Sequence, residues 1–240
     1  MEIKYIVPVL GVVLGWLLSQ LSGAFLLARE DRRLRSSAIP PMMDLYFQQY
    51  RIDKILEFFN LKLGDSLEQL HQLAEAGKIP KQHRETIFNQ LFTAFEKTRQ
   101  VNVDLPSKNK ETLFSSIEKA VDSLSKVDAI SAYKLSRLSN EFALMLEIKF
   151  PEEQLNPKHY LEVHGNLLSI FRSDIINLRS LILKNAFKVG IVELIKIYLL
   201  LKSEEKQLND TPKDVIEEVI KSTKTNKSSQ QDASKTGASA

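Results

Sequence analysis

Residues 5–28 read YIVPVLGVVLGWLLSQLSGAFLLA, an apolar stretch without any Asp, Glu, Lys, Arg or His. As an α-helix, these residues would extend about 36 Å, enough to cross a hydrocarbon core about 30 Å thick with some tilt. The helix of a soluble protein normally carries a polar face, and this stretch has none. The sequence therefore predicts a single N-terminal transmembrane helix, preceded by a short external segment at residues 1–4.

A cleaved signal peptide is the alternative interpretation of this stretch. Signal peptides have an apolar core of about 7–15 residues, a basic start and small residues at the cleavage site. Here the apolar run is longer, and the start is barely basic, because residues 1–4 contain one lysine and one glutamate. The small residues Ser22 and Ala24 would place cleavage inside the run. A retained membrane anchor is therefore the favoured interpretation.

Small residues recur at every fourth position of the predicted span, at Gly11, Gly15, Ser19 and Gly23. Apolar burial does not drive helices together in lipid, and small residues allow their backbones to approach closely. We expect this ridge to pack against a second copy of the helix or against another membrane subunit. The alternative is that these residues reflect only the ordinary glycine content of membrane helices.

Four arginines follow the apolar stretch, at positions Arg29, Arg32, Arg33 and Arg35. Lys and Arg near the ends of a span remain on the cytoplasmic side of the membrane. We therefore predict an external N-terminus and a cytoplasmic C-terminal domain, as in a single-pass protein of a bacterial inner membrane. The same arginines are candidates for contact with anionic lipid headgroups.

The rest of the chain has the composition of a helical domain. We predict a basic juxtamembrane segment at 29–41, a cytoplasmic helical bundle at 42–221 and a disordered tail at 222–240. The tail contains no Val, Ile, Leu, Met or aromatic residue, so it cannot bury enough surface to offset its ordering entropy. The predicted fold class is all-α.

Proline and glycine predict where the helices end. Pro40 and Pro41 should stop the membrane helix, because proline lacks an amide donor and clashes with the preceding turn. Gly64 should end the next helix, and Gly77 should close the short helix after it. Asn156-Pro157 is a typical helix start, and residues 101–107 are the predicted interior linker.

Apolar residues at helical spacing predict the core faces. The first groups are Leu45, Ile52, Ile55, Leu56 and Phe59; Leu113, Ile117, Val121 and Leu124; and Leu135, Leu138, Phe142 and Met145. Whether the last two groups lie on two helices or on one bent helix stays open.

The most regular pattern has alternating spacings of three and four: Leu161, His164, Leu168, Phe171, Ile175, Leu178 and Ile182. Such a seam can form a short coiled coil between chains, but it spans barely three heptads, so the interior of a bundle is favoured. A second run is shifted in phase: Phe187, Ile191, Leu194, Tyr198 and Leu201. The shift predicts a kink, a stutter or a turn near Asn185.

The sequence contains no catalytic signature. It lacks cysteine, which excludes disulfides, thiolate metal sites and a cysteine nucleophile. It also lacks a G-x-S-x-G motif and a glycine-rich phosphate loop. The net charge of +3 gives no concentrated basic face, so nucleic-acid binding is not expected. We expect no cofactor.

Two pairs of residues have a spacing that occurs in helical metal sites. Glu68 and His71 lie three positions apart, which places both on one helix face, and His159 and Glu162 have the reverse order. A di-iron bundle needs two motifs in the same order and two further glutamates. Chance pairing on exposed helix faces is therefore favoured, and no metal site is predicted.

These features together favour a membrane-anchored, non-enzymatic scaffold, adaptor or regulatory protein. Its expected partners are membrane lipid and either a partner protein or a second copy. The alternative is a membrane-localised helical enzyme, or a toxin or defence effector, whose site is assembled from dispersed residues. A deep pocket with converging polar groups would favour the enzyme, whereas an exposed apolar patch would favour the binding module.

Overall fold

The computed structural model describes the backbone of residues 3–78, 107–147 and 157–209, with isolated positions between 80 and 93. Side chains are described from Val13 onward in these ranges, apart from residues 107, 108, 157–161 and 164. Helices account for the regular structure there: α1 (Ile3–Glu75), α2 (Ser107–Ser125), α3 (Ala129–Glu147), α4 (Pro157–Val189) and α5 (191–209). The predicted all-α class is therefore confirmed for this part of the chain.

The second half of α1 lies at the centre of a helical bundle, packed mainly against α4 and α2. Helix α4 runs antiparallel to α1, because Asn185 contacts Arg35 whereas Arg172, earlier in α4, contacts Asp53, later in α1. Helices α2 and α3 form an antiparallel hairpin joined by a turn at residues 126–128. Helix α5 folds back along α4, so that Arg179 reaches Glu205.

The bundle core contains most of the residues that the helical spacing predicts. One buried cluster includes Leu45, Ile52, Leu56, Leu113, Ile117, Leu124, Leu135, Leu138 and Phe142. The described part of the heptad seam joins the same cluster, with Leu168, Phe171, Ile175, Leu178 and Ile182. The seam thus faces the inside of a single-chain bundle, as favoured, and α2 and α3 are two separate helices.

Helix α1 continues through Pro40 and Pro41, so the predicted stop at these residues is wrong. Proline inside a helix costs about 3 kcal/mol. Residues on both sides of the pair are buried in the core, among them Ala38, Ile39 and Met42. Because burial of one large apolar side chain contributes about 1.5–3 kcal/mol, this packing outweighs the local penalty.

Gly64 also lies inside α1, so the predicted break at this residue is wrong. A glycine costs only about 1 kcal/mol in a helix, and its neighbour Leu63 is buried. The prediction for Gly77 is confirmed. It follows the last turn of α1 with a φ of 69°, a left-handed conformation that favours glycine.

The second heptad run is confirmed only in part: Leu201 is buried and Leu194 packs against the core, whereas Tyr198 is exposed. The chain leaves the helix at Gly190, five residues after the predicted irregularity, and α5 begins again at residue 191. This turn rotates the buried face, so that Ile197 and Leu201 enter the core while Phe187 and Ile191 are exposed. The predicted start at Asn156-Pro157 agrees with the first residue of α4.

Two predictions about the ends of the chain have different outcomes. In the part of the chain whose side chains are described, no helix is both long and apolar enough to cross a bilayer, so the transmembrane helix is not supported. Residues 5–12 of that prediction lie outside this part. The predicted tail at 222–240 and nearly all of the linker at 101–107 also lie outside the described residues.

Candidate functional site

The first part of α1 extends beyond the bundle. In residues 13–33, which we call the projecting segment, every side chain is exposed. The large apolar side chains of this segment are Val13, Leu14, Trp16, Leu17, Leu18, Leu21, Phe25, Leu26 and Leu27. The described residues of this chain provide no cover for them, although such surface is normally buried.

The predicted glycine ridge is open along its described length. A methyl group added at Gly15 or Gly23 would meet nothing within 4 Å, and Ser19 is exposed. The side-chain position of Gly11 lies outside the described residues. Nothing in the described bundle approaches this face, so another helix has free access to it.

The four arginines after the apolar stretch separate into two groups. Arg29, Arg32 and Arg33 are exposed on the projecting segment, whereas Arg35 is buried. The Arg35 guanidinium donates to Asn185 Oδ1 at 3.0 Å, to Asp128 Oδ2 at 3.4 Å and to the carbonyl oxygen of Val127 at 3.1 Å. Arg35 therefore joins α1 to α4 and to the α2–α3 turn, a role that its place in a basic run does not indicate.

Asp128 is the acidic centre of this junction. Its Oδ1 accepts from the backbone amide of Ser131, which caps the start of α3, and its Oδ2 accepts from Lys188 at 2.8 Å. Lys184 lies 3.7 Å from the same oxygen. Burial alone would raise the pKa of Asp128, but the bonds from Lys188 and Ser131 and the charge of Lys184 hold that pKa well below its usual value.

A second polar cluster fastens α5 to α1 and α4. The buried Tyr46 hydroxyl donates to Glu205 Oε1 at 2.6 Å, and Arg179 Nε donates to the same oxygen at 3.0 Å. Burial, followed by the bond to Glu205, raises the pKa of Tyr46 well above its usual value. One helical turn later, Tyr50 donates to Asn209 Oδ1 at 3.1 Å. Tyr46 is part of the buried core, and Tyr50 packs against that core.

A third cluster joins the middle of α4 to α1. Arg172 Nε donates to the buried Asp53 at 2.8 Å, and its Nη2 lies 2.8 Å from Glu57. Lys54 donates to the other oxygen of Glu57 at 3.0 Å. The bond from Lys54, opposed by burial and supported by Arg172, lowers the pKa of Glu57. Like the other two clusters, this one connects helices of the bundle.

The candidate metal ligands do not converge in the part of the chain that is described. His71 lies 3.2 Å from Glu75, one turn further along α1, and both side chains are largely exposed. Glu68 and Glu162 are exposed, and the side chain of His159 lies outside the described residues. Among the described residues, no group of three or more His, Cys, Asp or Glu side chains has an arrangement that could hold a metal ion.

A second exposed apolar surface lies around the α4–α5 turn. Its members are Phe187, Ile191, Val192, Ile195, Tyr198 and Leu199. We call this set the turn surface. The sequence pattern predicted a buried seam for Phe187, Ile191 and Tyr198, which are exposed members of this surface. The sequence did contain a signal for an exposed apolar surface. Apolar residues in 187–201 occur on all sides of the helix, and they are more numerous than a single buried face requires.

Comparisons with protein-family models, with curated proteins and with solved structures find no match to this chain.

Proposed function

We propose that this protein is a membrane-anchored, non-enzymatic scaffold, adaptor or regulatory protein whose helical bundle binds a protein partner or a second copy. One observation carries the proposal: the projecting segment exposes nine large apolar side chains beyond the bundle. These side chains are 44–74% exposed, so at about 1.5–3 kcal/mol for full burial of each, covering them would contribute on the order of 10–15 kcal/mol. A surface of this size requires a permanent apolar environment.

Lipid fits the projecting segment better than a single partner helix. Apolar side chains lie on all sides of it, since the consecutive exposed residues Trp16, Leu17 and Leu18 point in directions 100° apart. A partner helix would cover only one of these sides, whereas a bilayer surrounds the helix. The uncharged sequence from residue 5 to residue 28 has the length that a membrane span needs.

The charges at the end of the apolar stretch support one orientation. Arg29, Arg32 and Arg33 are free to meet lipid headgroups and would hold this end of the helix on the cytoplasmic side. The protein would then be single-pass, with its N-terminus outside and its bundle in the cytoplasm, as in a bacterial inner membrane. A reporter fused after Ala240 should be active only if it is a cytoplasmic reporter. Neutralising the three exposed arginines should weaken that result.

Insertion is tested by introducing charge into the projecting segment. Two arginines in place of Leu18 and Leu21 should cost about 5–7 kcal/mol of insertion free energy, because each costs about 2.5–3.5 kcal/mol near the centre of a span. The variant should leave the membrane pellet during an alkaline carbonate wash, while the wild type stays. A matched variant with arginine in place of the exposed Leu144, on α3, should stay in the pellet. Release of the wild type by the same wash would contradict the anchor.

Self-association is the simplest use of the open glycine ridge in a chain with one span. Isoleucine at Gly15 and Ser19 would separate two packed helices, so cross-linking of the chain in membranes should be lost. Isoleucine at Leu14 and Leu18, which changes the shape of the helix without filling the ridge, is the control. Equal cross-linking in the two variants would mean that the small residues have no packing role.

A further inference from the structure

The α4–α5 turn lies at the end of the bundle from which the projecting segment emerges. Arg35, the first deeply buried residue of α1, bonds to Asn185 near the end of α4. From Asn185, α4 continues toward Gly190, while α1, followed backward, continues toward the projecting segment. Because the two helices are antiparallel, both segments extend toward the same end of the molecule.

The helical rise fixes how far the turn reaches. Five residues separate Asn185 from Gly190, a distance of about 7.5 Å along the axis. Five residues back from Arg35 along α1 is Glu30, and the last residue of the apolar stretch, Ala28, lies only about 3 Å further. The turn therefore reaches to within about 3 Å of the level at which the uncharged part of α1 begins.

The side chains at this level are apolar and exposed. Phe187 precedes the turn, Ile191 and Val192 follow it, and Ile195 lies one helical turn further along α5; each is at least half exposed. The same side of α5 becomes basic away from the turn, at Lys202 and Lys206, which are also exposed. The face thus changes from apolar to charged with increasing distance from the apolar stretch of α1.

We infer that the α4–α5 turn inserts Phe187, Ile191 and Val192 into the headgroup region of the bilayer that holds α1. This inference rests on the proposed membrane anchor, and it gives the bundle a second, fixed contact with the membrane. Apolar side chains of an interfacial helix reach about 5–10 Å into the headgroup and acyl boundary.

Lipid is the occupant that accounts for the position of this surface. A second copy of the bundle could pack along α5 at any height, and it would cover Tyr198 and Leu199 as readily as Ile191 and Val192, which lie near the level where the apolar part of α1 begins. A bilayer surface meets the molecule at that level alone. The change from Ile191 and Val192 to Lys202 and Lys206 follows the polarity change from a membrane interface to water.

The chain offers two independent reporters for the test. It has no cysteine, so Ile191→Cys provides a unique labelling site in the full-length protein, and it has one tryptophan, Trp16, inside the projecting segment. The matched control is Leu144→Cys, since Leu144 is 65% exposed against 66% for Ile191 and lies on α3 near the opposite end of the bundle. Both variants carry an environment-sensitive fluorophore and are reconstituted into vesicles of phosphatidylglycerol and phosphatidylethanolamine.

We expect the label at position 191 to shift its emission to shorter wavelength, to be quenched by brominated lipid and to be protected from aqueous iodide. The label at position 144 should be quenched by iodide alone, and Trp16 should be quenched by brominated lipid in both variants. A label at position 191 that iodide quenches as strongly as the label at position 144 would overturn the inference. Protection from iodide without quenching by lipid would also overturn it, because protein would then cover the turn.

Trp16 separates the two proposals. If brominated lipid quenches Trp16 but not the label at position 191, the membrane anchor stands and the contact of the turn is wrong. If neither is quenched, the anchor itself fails and the inference fails with it. If only the label is quenched, the turn contacts lipid without an inserted α1, which supports the contact and contradicts the anchor.

Discussion

Helix α1 contains two regions that are equally helical and differ in what surrounds them. In the bundle region, residues 34–63, apolar side chains such as Leu45 and Ile52 are buried on one side, while Asp44 and Arg51 are exposed on the other. In the projecting segment, apolar side chains lie on every side, and all are exposed. The distribution of apolar residues around the helix, rather than their number, decides whether the rest of the chain can cover them.

The boundary between the two regions is set by polar groups. From Val13 onward, where the side chains of α1 are described, Arg35 is the first that is deeply buried, and its partners Asp128 and Asn185 are also largely buried. A buried guanidinium is tolerated only when its donors are satisfied, and here three acceptors from two neighbouring parts of the fold surround it. The bundle therefore begins at a defined point along a helix that has no break there.

The largest difference between the two regions should appear when the same substitution is made in each. Leu45→Ala removes a side chain that is 0% exposed, and it should lower the free energy of unfolding by about 2–5 kcal/mol. Leu18→Ala changes a side chain that is 65% exposed, and it should leave this free energy unchanged within about 0.5 kcal/mol.

Both variants can be measured by urea unfolding of the full-length protein in detergent micelles, followed by circular dichroism. A loss at Leu18 as large as that at Leu45 would mean that the projecting segment packs on protein.

A smaller difference is expected for the arginines on the two sides of the boundary. Arg35→Ala leaves the Val127 carbonyl and Asn185 Oδ1 without their donor and removes one partner of Asp128. Loss of one partner from a buried ion pair costs about 3 kcal/mol or more. Because Asp128 still pairs with Lys188 in this variant, we expect a loss of about 3 kcal/mol. Arg32→Ala, on the exposed side, should be neutral. Equal melting temperatures of the two variants would show that the Arg35 contacts contribute nothing.

The charge of Asp128 should make the stability of the bundle region depend on pH. Its pKa in the folded protein lies below the unfolded value of about 3.9, so its contribution is complete above about pH 4 and is lost as the pH falls through the folded pKa. Asparagine retains the cap of α3 but not the charge, so Asp128→Asn should cost about 2 kcal/mol near neutral pH. This difference from the wild type should be constant between pH 5 and 8 and shrink below about pH 4 in denaturant titrations. A difference that grows on acidification would contradict this assignment.

The sequence predicted the helices and their core faces but not the connections that depend on packing. Leu135, Leu138 and Phe142 were predictable because a core face repeats at the helical period. The continuity of α1 through Pro40 was not predictable from the sequence. The helix penalty of proline can be read from the residue itself, whereas the burial that compensates for it comes from helices distant in the sequence.

The two exposed apolar surfaces, the projecting segment and the turn surface, differ in how well the sequence predicts them. The apolar stretch of α1 is recognisable because it lacks charge over its whole length. The turn surface around Ile191 is not, because Lys188, Glu193 and Lys196 interrupt the apolar residues and their phase changes at Gly190. The role of Arg35 also escaped prediction, since Arg33 and Arg35 look alike in a basic run and only the position of Asp128 distinguishes them.

The smallest effects should come from glycines that test where α1 ends. Gly64 is helical, and an added Cβ would meet nothing within 4 Å, so Gly64→Ala should raise the free energy of unfolding by about 0.5–1 kcal/mol. An added Cβ at Gly77 would also meet nothing within 4 Å, but its φ of 69° is left-handed, so Gly77→Ala should lower the free energy by about 1 kcal/mol. The two substitutions add the same methyl group without a clash, and they differ only in the backbone conformation that receives it. Differential scanning calorimetry of both variants should therefore give melting temperatures on opposite sides of the wild type. If Gly64→Ala is destabilised as Gly77→Ala is, the chain turns at Gly64 and α1 ends there.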